Sequence, residues 1–462
     1  MEWSGVVMQF HERDGFGADG RRGARRRRMT GVVLAVSAAT VAATAPAVAQ
    51  PEKDVPGVQH VRKAAPADTA QRLARPTLPA PTGPYAVGTT SLHLVDHGRA
   101  DPWLPSRPYR ELMVSVRYPA RSVAGHPRAP HMLPAEAAGF DAVNSLQDVP
   151  KGRVDWAATR SHAHRDAPVL RPFGRRLPVL LYSPGAGDPR SLGTTLADDL
   201  ASRGYAVVTI DHTYDATAVE FPGGRVERTR LPEEAVKAKK EGRMPELLKK
   251  TVAVDVADTR FVLDQVEALA AGRNPDAGQR RLPSGLRGAL DPGRVGAFGQ
   301  SAGGFTAALA MHDDRRIKAA ANMDGVMGYT EDDHDPANPS TVATEGVDRP
   351  LLLMGMEGDD HHTMPSWGGA WRNSTGWHRD LTLTGSRHAT FTDAGSLVPQ
   401  IARQLGLPAK TVTENVGTVD PGRALAAQRA YMAAFFDRWL CGRDSHLLDG
   451  PSGRFPEMRF VS

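Results

Sequence analysis

The sequence predicts a single-domain α/β fold built on a doubly wound, mostly parallel sheet. Short continuous apolar runs such as LPVLLY, GYAVVTI and RPLLLMG are typical of strands buried on both faces of such a sheet. Segments with helical spacing lie between these runs, which is the alternation that parallel strands require. No internal repeat and no second domain is evident, so we assign residues 81–462 to one domain.

The charge balance argues against a nucleic acid or an anionic membrane as the main partner. The formal net charge of the 462 residues is +5, but residues 1–49 carry seven arginines against four acidic residues. The rest of the chain is therefore nearly neutral and lacks the basic footprint that such partners need.

The first 49 residues have the pattern of a signal peptide. The basic stretch RRGARRRRMT precedes the apolar stretch GVVLAVSAATVAATAPAVAQ, which contains Ala47-Val48-Ala49. This A-x-A spacing predicts cleavage after Ala49 and secretion, by either the Sec or the twin-arginine route. A permanent membrane span fits less well because the stretch is rich in alanine and threonine. Residues 50–80 are rich in proline and alanine and predict a flexible lead-in.

The first half of the predicted domain contains an irregular excursion. RELMVSVRYPA alternates apolar and polar residues as a half-buried strand ended by Pro119. Residues 121–175 mix proline, alanine, histidine and arginine, and we interpret them as an excursion that is a candidate lid. From Leu177 strands alternate with helices, the first helix ending near Gly204 and a longer one covering residues 245–271.

The second half continues the alternation up to a final helix. Three further strands are predicted in RIKAAANMDG, RPLLLMGMEG and HRDLTLTGSRH, and the last helix covers residues 421–440. Cys441 is the single cysteine of the chain, which excludes an internal disulfide. We predict that its thiol is packed and structural.

One strand leads into a sharp turn around a serine. The stretch RVGAFGQSAGGFTAALAM passes from a strand to a helix at Ser301. Such a turn forces an unfavourable backbone conformation, and Gly299 and Gly303 remove the side chains that would collide with it. This arrangement is the nucleophile elbow of α/β-hydrolases, in which the serine hydroxyl projects from the sheet edge.

A serine nucleophile needs a histidine base and a carboxylate to orient it. His388 follows the last alternating strand, where the serine-acid-histidine order of this fold requires the base. Two positions for the acid remain open at this point. Asp324 follows the strand after the elbow, and Asp359 or Asp360 follows the next strand.

Backbone donors for an oxyanion are predicted in the loop SPGAGDPR. Its small residues leave amide N–H groups uncovered at the carboxyl end of an early strand. The amides of Ala186 and Ala302 form the natural pair.

Four ordered motifs resemble the lipoprotein-associated class of platelet-activating factor acetylhydrolases and their bacterial relatives. They are LPVLLYSPGAGDPRSLGTTLADDLASRGYAVVTIDH, GQSAGG, NMDG and GSRHATFTD, and the similarity runs from about Pro84 to the end. The resemblance implies a secreted serine esterase of α/β-hydrolase fold that needs no calcium and no other cofactor and prefers short or oxidised acyl groups. It assigns the nucleophile, acid and base to Ser301, Asp324 and His388, and the oxyanion donors to Ala186 and Ala302.

The chain departs from this family at Pro184. Members often have a histidine at this position, before the first glycine of the oxyanion loop, so the departure bears on the geometry of the loop and on substrate range.

The sequence favours an acetylhydrolase-like esterase that acts on small esters or lipids, including lipids at an interface. A lipase or a cutinase-type polyester hydrolase is the alternative within the same chemistry. A non-catalytic or metal-binding exported protein is the alternative of another class, but no member of the catalytic set is missing. Two short clusters of acidic residues and histidines have the residue types of a divalent-cation site, but they lack the ligand spacing of a helix-borne zinc site. We therefore predict no metal and interpret both clusters as solvated loops. They comprise Glu331, Asp332, Asp333 and His334 in one loop, and Asp359, Asp360, His361 and His362 in the other. The natural ester, its acyl length and the oligomeric state are not predicted.

Overall fold

The computed structural model describes residues 73–462. The predicted signal peptide, residues 1–49, and most of the predicted lead-in, residues 50–80, lie outside the described residues. Within the described range, no helix combines the length and the apolar character that crossing a membrane requires.

The end of the predicted lead-in is part of the fold. Ala74 forms a parallel bridge with Val154, and the side chains of Ala74 and Leu78 are buried. The folded region therefore begins before residue 81. The free energy gained by burying these apolar side chains offsets the conformational entropy that this segment loses on folding.

Thirteen strands are present in the described part of the chain. In chain order they are β1 (Val87–Asp96), β2 (Arg110–Pro119), β3 (Arg128–Pro130), β4 (Arg160–Arg165), β5 (Leu177–Ser183), β6 (Ala206–Asp211), β7 (Ala218–Glu220), β8 (Val226–Arg228), β9 (Leu290–Gln300), β10 (Ile317–Met323), β11 (Leu351–Gly355), β12 (His378–Leu383) and β13 (Met458–Val461). Eleven of them form one sheet in the order β13-β12-β11-β10-β9-β5-β6-β2-β1-β4-β3, and β7 pairs with β8 separately. The six strands from β12 to β6 are mutually parallel, whereas β2 and β13 flank them antiparallel.

Ten α-helices connect or cover these strands. They are α1 (Pro134–Val143), α2 (Thr194–Ser202), α3 (Leu231–Glu241), α4 (Met244–Ala270), α5 (Ala302–Asp313), α6 (Thr341–Glu345), α7 (Pro365–Asn373), α8 (Ala394–Leu405), α9 (Ala409–Val416) and α10 (Pro421–Cys441) in the described residues. The helices predicted over residues 245–271 and 421–440 correspond to α4 and α10 within one residue at each end.

Both faces of the parallel sheet are buried, as the continuous apolar runs predict. Along β5, Val179 and Leu181 contribute to the core under α4 and α5, whereas Leu180 and Tyr182 contribute to the core under α2 and α10. All four side chains are at most 1% exposed. The predicted doubly wound, mostly parallel α/β architecture is confirmed, and it brings the carboxyl ends of β5, β9, β10 and β11 to one edge.

The excursion at residues 121–175 is more ordered than its sequence indicates. It supplies β3, α1 and β4, and β4 extends the sheet by pairing parallel with β1. His131 Nε2 lies 2.9 Å from Asp393 Oδ2, just before α8. The excursion is thus anchored to the body of the domain, and its assignment as a lid stays a prediction.

Candidate active site

Ser301 occupies a strained turn between β9 and α5. Its backbone angles are φ 57° and ψ −131°, a region that favours glycine. Its amide donates to Met323 O at 2.8 Å, and its carbonyl accepts from the amides of Gly304 and Phe305 at 2.9 and 3.1 Å. These bonds hold the serine at the N-terminus of a helix, in the conformation of a nucleophile elbow.

The glycines around Ser301 are required by main-chain contacts. A Cβ atom on Gly299 would lie 2.3 Å from the carbonyl carbon of Gly303. A Cβ atom on Gly303 would lie 2.0 Å from Ser183 O, at the end of β5. No side chain fits at either position, so the ends of β5 and β9 and the start of α5 meet backbone against backbone.

Asp324 lies at the end of β10, next to Ser301. Its own φ is 59°, and its side chain is almost completely buried. Oδ1 accepts the amide of Met356 at 2.7 Å, and Oδ2 lies 2.6 Å from Nδ1 of His388. Asn322 fixes this turn, because its side-chain amide accepts from and donates to the backbone of Gly325 at 2.9 and 2.7 Å.

His388 begins a short 3-10 helix after β12, and its side chain is 26% exposed. Burial lowers the pKa of the imidazole, but the hydrogen bond to Asp324 and the charges of Asp324, Asp333 and Asp188 outweigh that effect and raise the pKa above 6.5. In a catalytic triad whose histidine contacts a carboxylate through Nδ1, Nε2 is the nitrogen that exchanges protons with the nucleophile.

The predicted oxyanion donors lie in the loop after β5 and at the first residue of α5. Among the described residues, neither the amide of Ala186 nor that of Ala302 donates a hydrogen bond to a protein acceptor. A Cβ atom on Gly185 would lie 3.2 Å from Ser301 Cβ, so the loop after β5 packs directly on the elbow. Pro184, the departure from the acetylhydrolase pattern, is buried at the start of this loop.

A buried polar network that sequence reasoning missed supports the same loop. Ser183 Oγ lies 3.0 Å from His212 Nε2, and His212 Nδ1 lies 3.1 Å from Asp258 Oδ2. Asp215 accepts the amide of Gly187 at 2.6 Å. His212 and Asp215 follow the carboxyl end of β6, and that position is a signal that could have identified them.

Two further carboxyl groups approach His388 without having been predicted near it. The same Cβ atom placed on Gly185 would lie 3.3 Å from Asp188 Oδ2, so this carboxyl flanks the elbow. Burial is the main cause that raises the pKa of Asp188 to about 7. Burial also raises the pKa of Asp333 to about 7, with the charge of Asp324 adding to it.

The alternative acids do not approach the histidine in the described structure. Asp360 accepts the amides of His362 and Thr363 at 2.9 and 3.1 Å. The expectation that Asp359 and Asp360 are solvated is wrong, because they are 5% and 6% exposed. Burial under neighbouring segments, together with the charge of Asp324, raises the pKa of Asp359 to about 9.

The predicted acidic-histidine clusters do not converge into metal-ligand groups. Among residues 73–462, the groups whose ligand atoms lie close enough to hold an ion are elsewhere. One is exposed and the other is buried, where Arg110 already donates to Asp258 at 2.7 Å. The exposed group comprises Asp444, His446 and Asp449, and the buried one His212, Asp255 and Asp258.

Known proteins resemble this chain over most of its length. A probable 1-alkyl-2-acetylglycerophosphocholine esterase of Arthroderma benhamiae is 28% identical over 400 residues, which cover 83% of this chain and 93% of the relative. The solved structure of a ferulic acid esterase from Streptomyces cinnamoneus superposes with a TM-score of 0.65 at 36% identity, covering 84% of this chain and 99% of that one.

The family comparison agrees with the resemblance seen in the motifs. The family model described as platelet-activating factor acetylhydrolase, isoform II, matches residues 72–445, which include the elbow, all three candidate acids and His388. Its start coincides with the first described residues of the fold. This chain therefore belongs to the platelet-activating factor acetylhydrolase isoform II family.

Proposed function

We propose that this chain is a secreted serine esterase in which Ser301, His388 and Asp324 form the catalytic triad. Membership of the acetylhydrolase family makes the chain a carboxylic ester hydrolase, and the proposal concerns its residues, substrate and location. The observation that carries it is the 2.6 Å contact between Asp324 Oδ2 and His388 Nδ1 beside the strained turn at Ser301.

The proposed reaction follows the chemistry of these groups. His388 Nε2 takes the proton of Ser301 Oγ as the oxygen attacks the ester carbonyl carbon. The amides of Ala186 and Ala302 donate to the oxyanion, and the alcohol leaves with the proton from His388. Water then attacks the acyl-enzyme with His388 as base, which releases the acid and restores the serine. Asp324 keeps the imidazole in the correct tautomer and stabilises its protonated form.

The two relatives differ in the acyl group of the ester that their names specify. The name of the Arthroderma relative specifies an acetyl ester of an ether glycerophosphocholine, whereas that of the Streptomyces structure specifies an ester of an aromatic acid. We propose a small ester with a short acyl group as the substrate, and a feruloyl ester as the second candidate because of the 36% identity. A lipase or a cutinase-type polyester hydrolase remains the alternative.

The substrate proposal is tested by hydrolysis rates. Acetyl, butyryl, octanoyl and feruloyl esters of one alcohol would be compared, with and without a lipid interface and with a polyester film as a further substrate. The highest kcat/KM on the acetyl ester supports the first candidate, and preference for the feruloyl ester supports the second. A rate that rises with chain length only at an interface, or release from the film, would favour the lipase or cutinase alternative.

The nucleophile is tested by Ser301→Ala. The variant should lose about three to six orders of magnitude in kcat, because the triad acts as a unit. Its circular dichroism spectrum should match the wild type. Retention of a tenth of the wild-type rate would contradict the assignment.

Secretion is proposed from the sequence pattern of residues 1–49 alone. Amino-terminal sequencing of protein recovered from the medium tests it, and a first residue of Gln50 is the expected result.

A further inference from the structure

The loop before β5 presents an aromatic side chain entirely to solvent. Phe173 is 94% exposed, the largest fraction among the exposed large apolar residues of the described chain. It also has a φ of 52°, and Gly174 after it has a φ of 71°. A bulky aromatic residue in this region strains the backbone, and its exposed apolar area is also unfavourable. No burial within the domain offsets either penalty.

Exposed arginines lie on both sides of Phe173 in the sequence and in the neighbouring segment 281–287. We use the name Phe173 patch for Phe173 together with Arg171, Arg175, Arg176, Arg281 and Arg287. All five arginines are exposed, and none of them forms an ion pair with another described residue. Two acidic residues flank the segment 281–287, and both form ion pairs with other arginines. Asp291 pairs with Arg294, and Asp276 pairs with Arg280.

The two segments of the patch are joined by backbone contacts. Val169 donates to Ser284 O at 2.9 Å, and Leu177 donates to Ala289 O at 2.7 Å. The guanidinium group of Arg294 donates to Arg176 O at 2.8 Å. The patch is therefore one surface, although its residues lie more than a hundred positions apart in the sequence.

The patch lies at the end of the sheet opposite to the candidate active site. Leu177 begins β5 and Leu290 begins β9, and these two parallel strands pair from their first residues. Ser301 follows the other end of β9. A surface bound at the Phe173 patch would therefore leave the elbow facing solvent.

We infer that the Phe173 patch is a docking site for an anionic lipid bilayer, with Phe173 inserted among the acyl chains and the arginines on the headgroups. A protruding aromatic residue among cations suits a surface that is apolar inside and negatively charged outside. A polysaccharide-binding site would instead need hydroxyl-bonding carboxylate or amide groups near the aromatic ring, and the patch supplies only guanidinium groups. The near neutrality of the chain after residue 49 does not conflict with this inference, because the unpaired cations are concentrated locally.

The test is co-sedimentation with vesicles. One set contains phosphatidylcholine alone, and in the other about a third of the lipid is phosphatidylglycerol. The chain should bind the second set, with binding that falls as salt increases. All variants share one N-terminus, so any binding through residues 1–72 is a constant background. Equal binding to both vesicle sets would overturn the inference.

The aromatic contribution is tested by Phe173→Asn. Asparagine tolerates a positive φ, so this variant should keep or raise the melting temperature while its partition onto anionic vesicles falls about tenfold. If Phe173 were structural instead, Phe173→Asn would lower the melting temperature and leave the partition onto anionic vesicles unchanged. Val236→Ser, at an exposed apolar position on α3, is the matched control and should leave binding unchanged within about twofold.

The cationic contribution is tested by the double variant Arg175→Gln with Arg176→Gln. Its partition should fall about tenfold to thirtyfold, and the control Arg228→Gln with Arg403→Gln, which removes the same charge elsewhere, should change it less than about threefold. Equal losses in both pairs would overturn the inference. Binding to dextran sulfate that is unaffected by Phe173→Asn, without binding to vesicles, would assign the patch to a polyanion instead.

The inference does not rest on the proposed function. Ser301→Ala should bind anionic vesicles like the wild type. Vesicle-bound wild type should hydrolyse a soluble ester at its free rate, and a strong loss of that rate on binding would contradict the placement of the patch.

Discussion

Asp324 and His388 are 64 positions apart in the chain, and their side chains meet at 2.6 Å between Oδ2 and Nδ1. The contact joins the loop after β10 to the loop after β12, across the end of β11. In many α/β folds with this chemistry the acid would follow β11, where Asp359 and Asp360 are found. Here the carboxyl that meets His388 follows the strand next to Ser301.

Replacement of the three candidate acids should separate their roles. Asp324→Asn should lower kcat by about three to four orders of magnitude, because an amide favours the wrong tautomer of His388. Asp359→Asn and Asp360→Asn should each cost less than about tenfold, because neither carboxyl contacts the imidazole. Turnover of the purified variants on one soluble ester checks this, and a large loss only at Asp359 or Asp360 would reverse the assignment.

The pH dependence of kcat/KM should report His388. Its neutral form is the proposed base, so activity should rise with pH, with a midpoint above 6.5 because Asp324 raises the pKa of the imidazole. In Asp324→Asn the midpoint of the residual activity should move to lower pH. A wild-type midpoint below 6 would mean that burial lowers the pKa of His388 by more than the neighbouring carboxylates raise it. Fluorinated acetate esters are hydrolysed faster than acetate esters. A comparison of the midpoints measured on these two kinds of substrate would show whether acylation sets the midpoint.

Asp359 should make stability depend on pH. Its pKa is raised to about 9 in the folded state, so the folded chain keeps a proton that the unfolded chain loses near pH 4. The free energy of unfolding therefore falls as pH rises from about 4 to 9. Asp359→Asn should melt at a higher temperature than the wild type at pH 8, with little difference at pH 4. Equal melting temperatures at pH 8 would contradict the raised pKa.

The turn at Ser301 should cost stability. Ser301→Gly should melt at a higher temperature than both the wild type and Ser301→Ala, because glycine adopts φ 57° without strain. The expected gain is about 1 kcal/mol in the free energy of unfolding, measured by urea denaturation. If Ser301→Ala were the more stable variant, the strain would be absent.

Chelation should leave the esterase activity unchanged. The proposed nucleophile comes from Ser301 and His388 and not from metal-bound water. Activity on a soluble ester would be measured before and after dialysis against EDTA. A loss that zinc or calcium reverses would direct attention to the buried group formed by His212, Asp255 and Asp258.

The local parts of the fold and site could be predicted because short patterns carry them. Helix α4 follows its apolar stripe within one residue, and the turn at Ser301 follows from its flanking glycines. Strands β4 and β13 were not predicted, because each depends on pairing with a distant segment. The burial of Asp359 and the approach of Asp188 to the elbow depend on packing between loops, which no short pattern records.

The close backbone contact between the ends of β5 and β9 and the start of α5 limits which residues laboratory evolution of this enzyme can vary. Gly299 and Gly303 touch main-chain atoms, so random libraries that include them would be filled with unfolded members. Ala186 and Asp188, by contrast, are partly exposed on the loop that borders the same elbow. Substitutions at Ala186 would keep its backbone amide and change only the side chain at the entrance, whereas substitutions at Asp188 would also remove a charge that raises the pKa of His388.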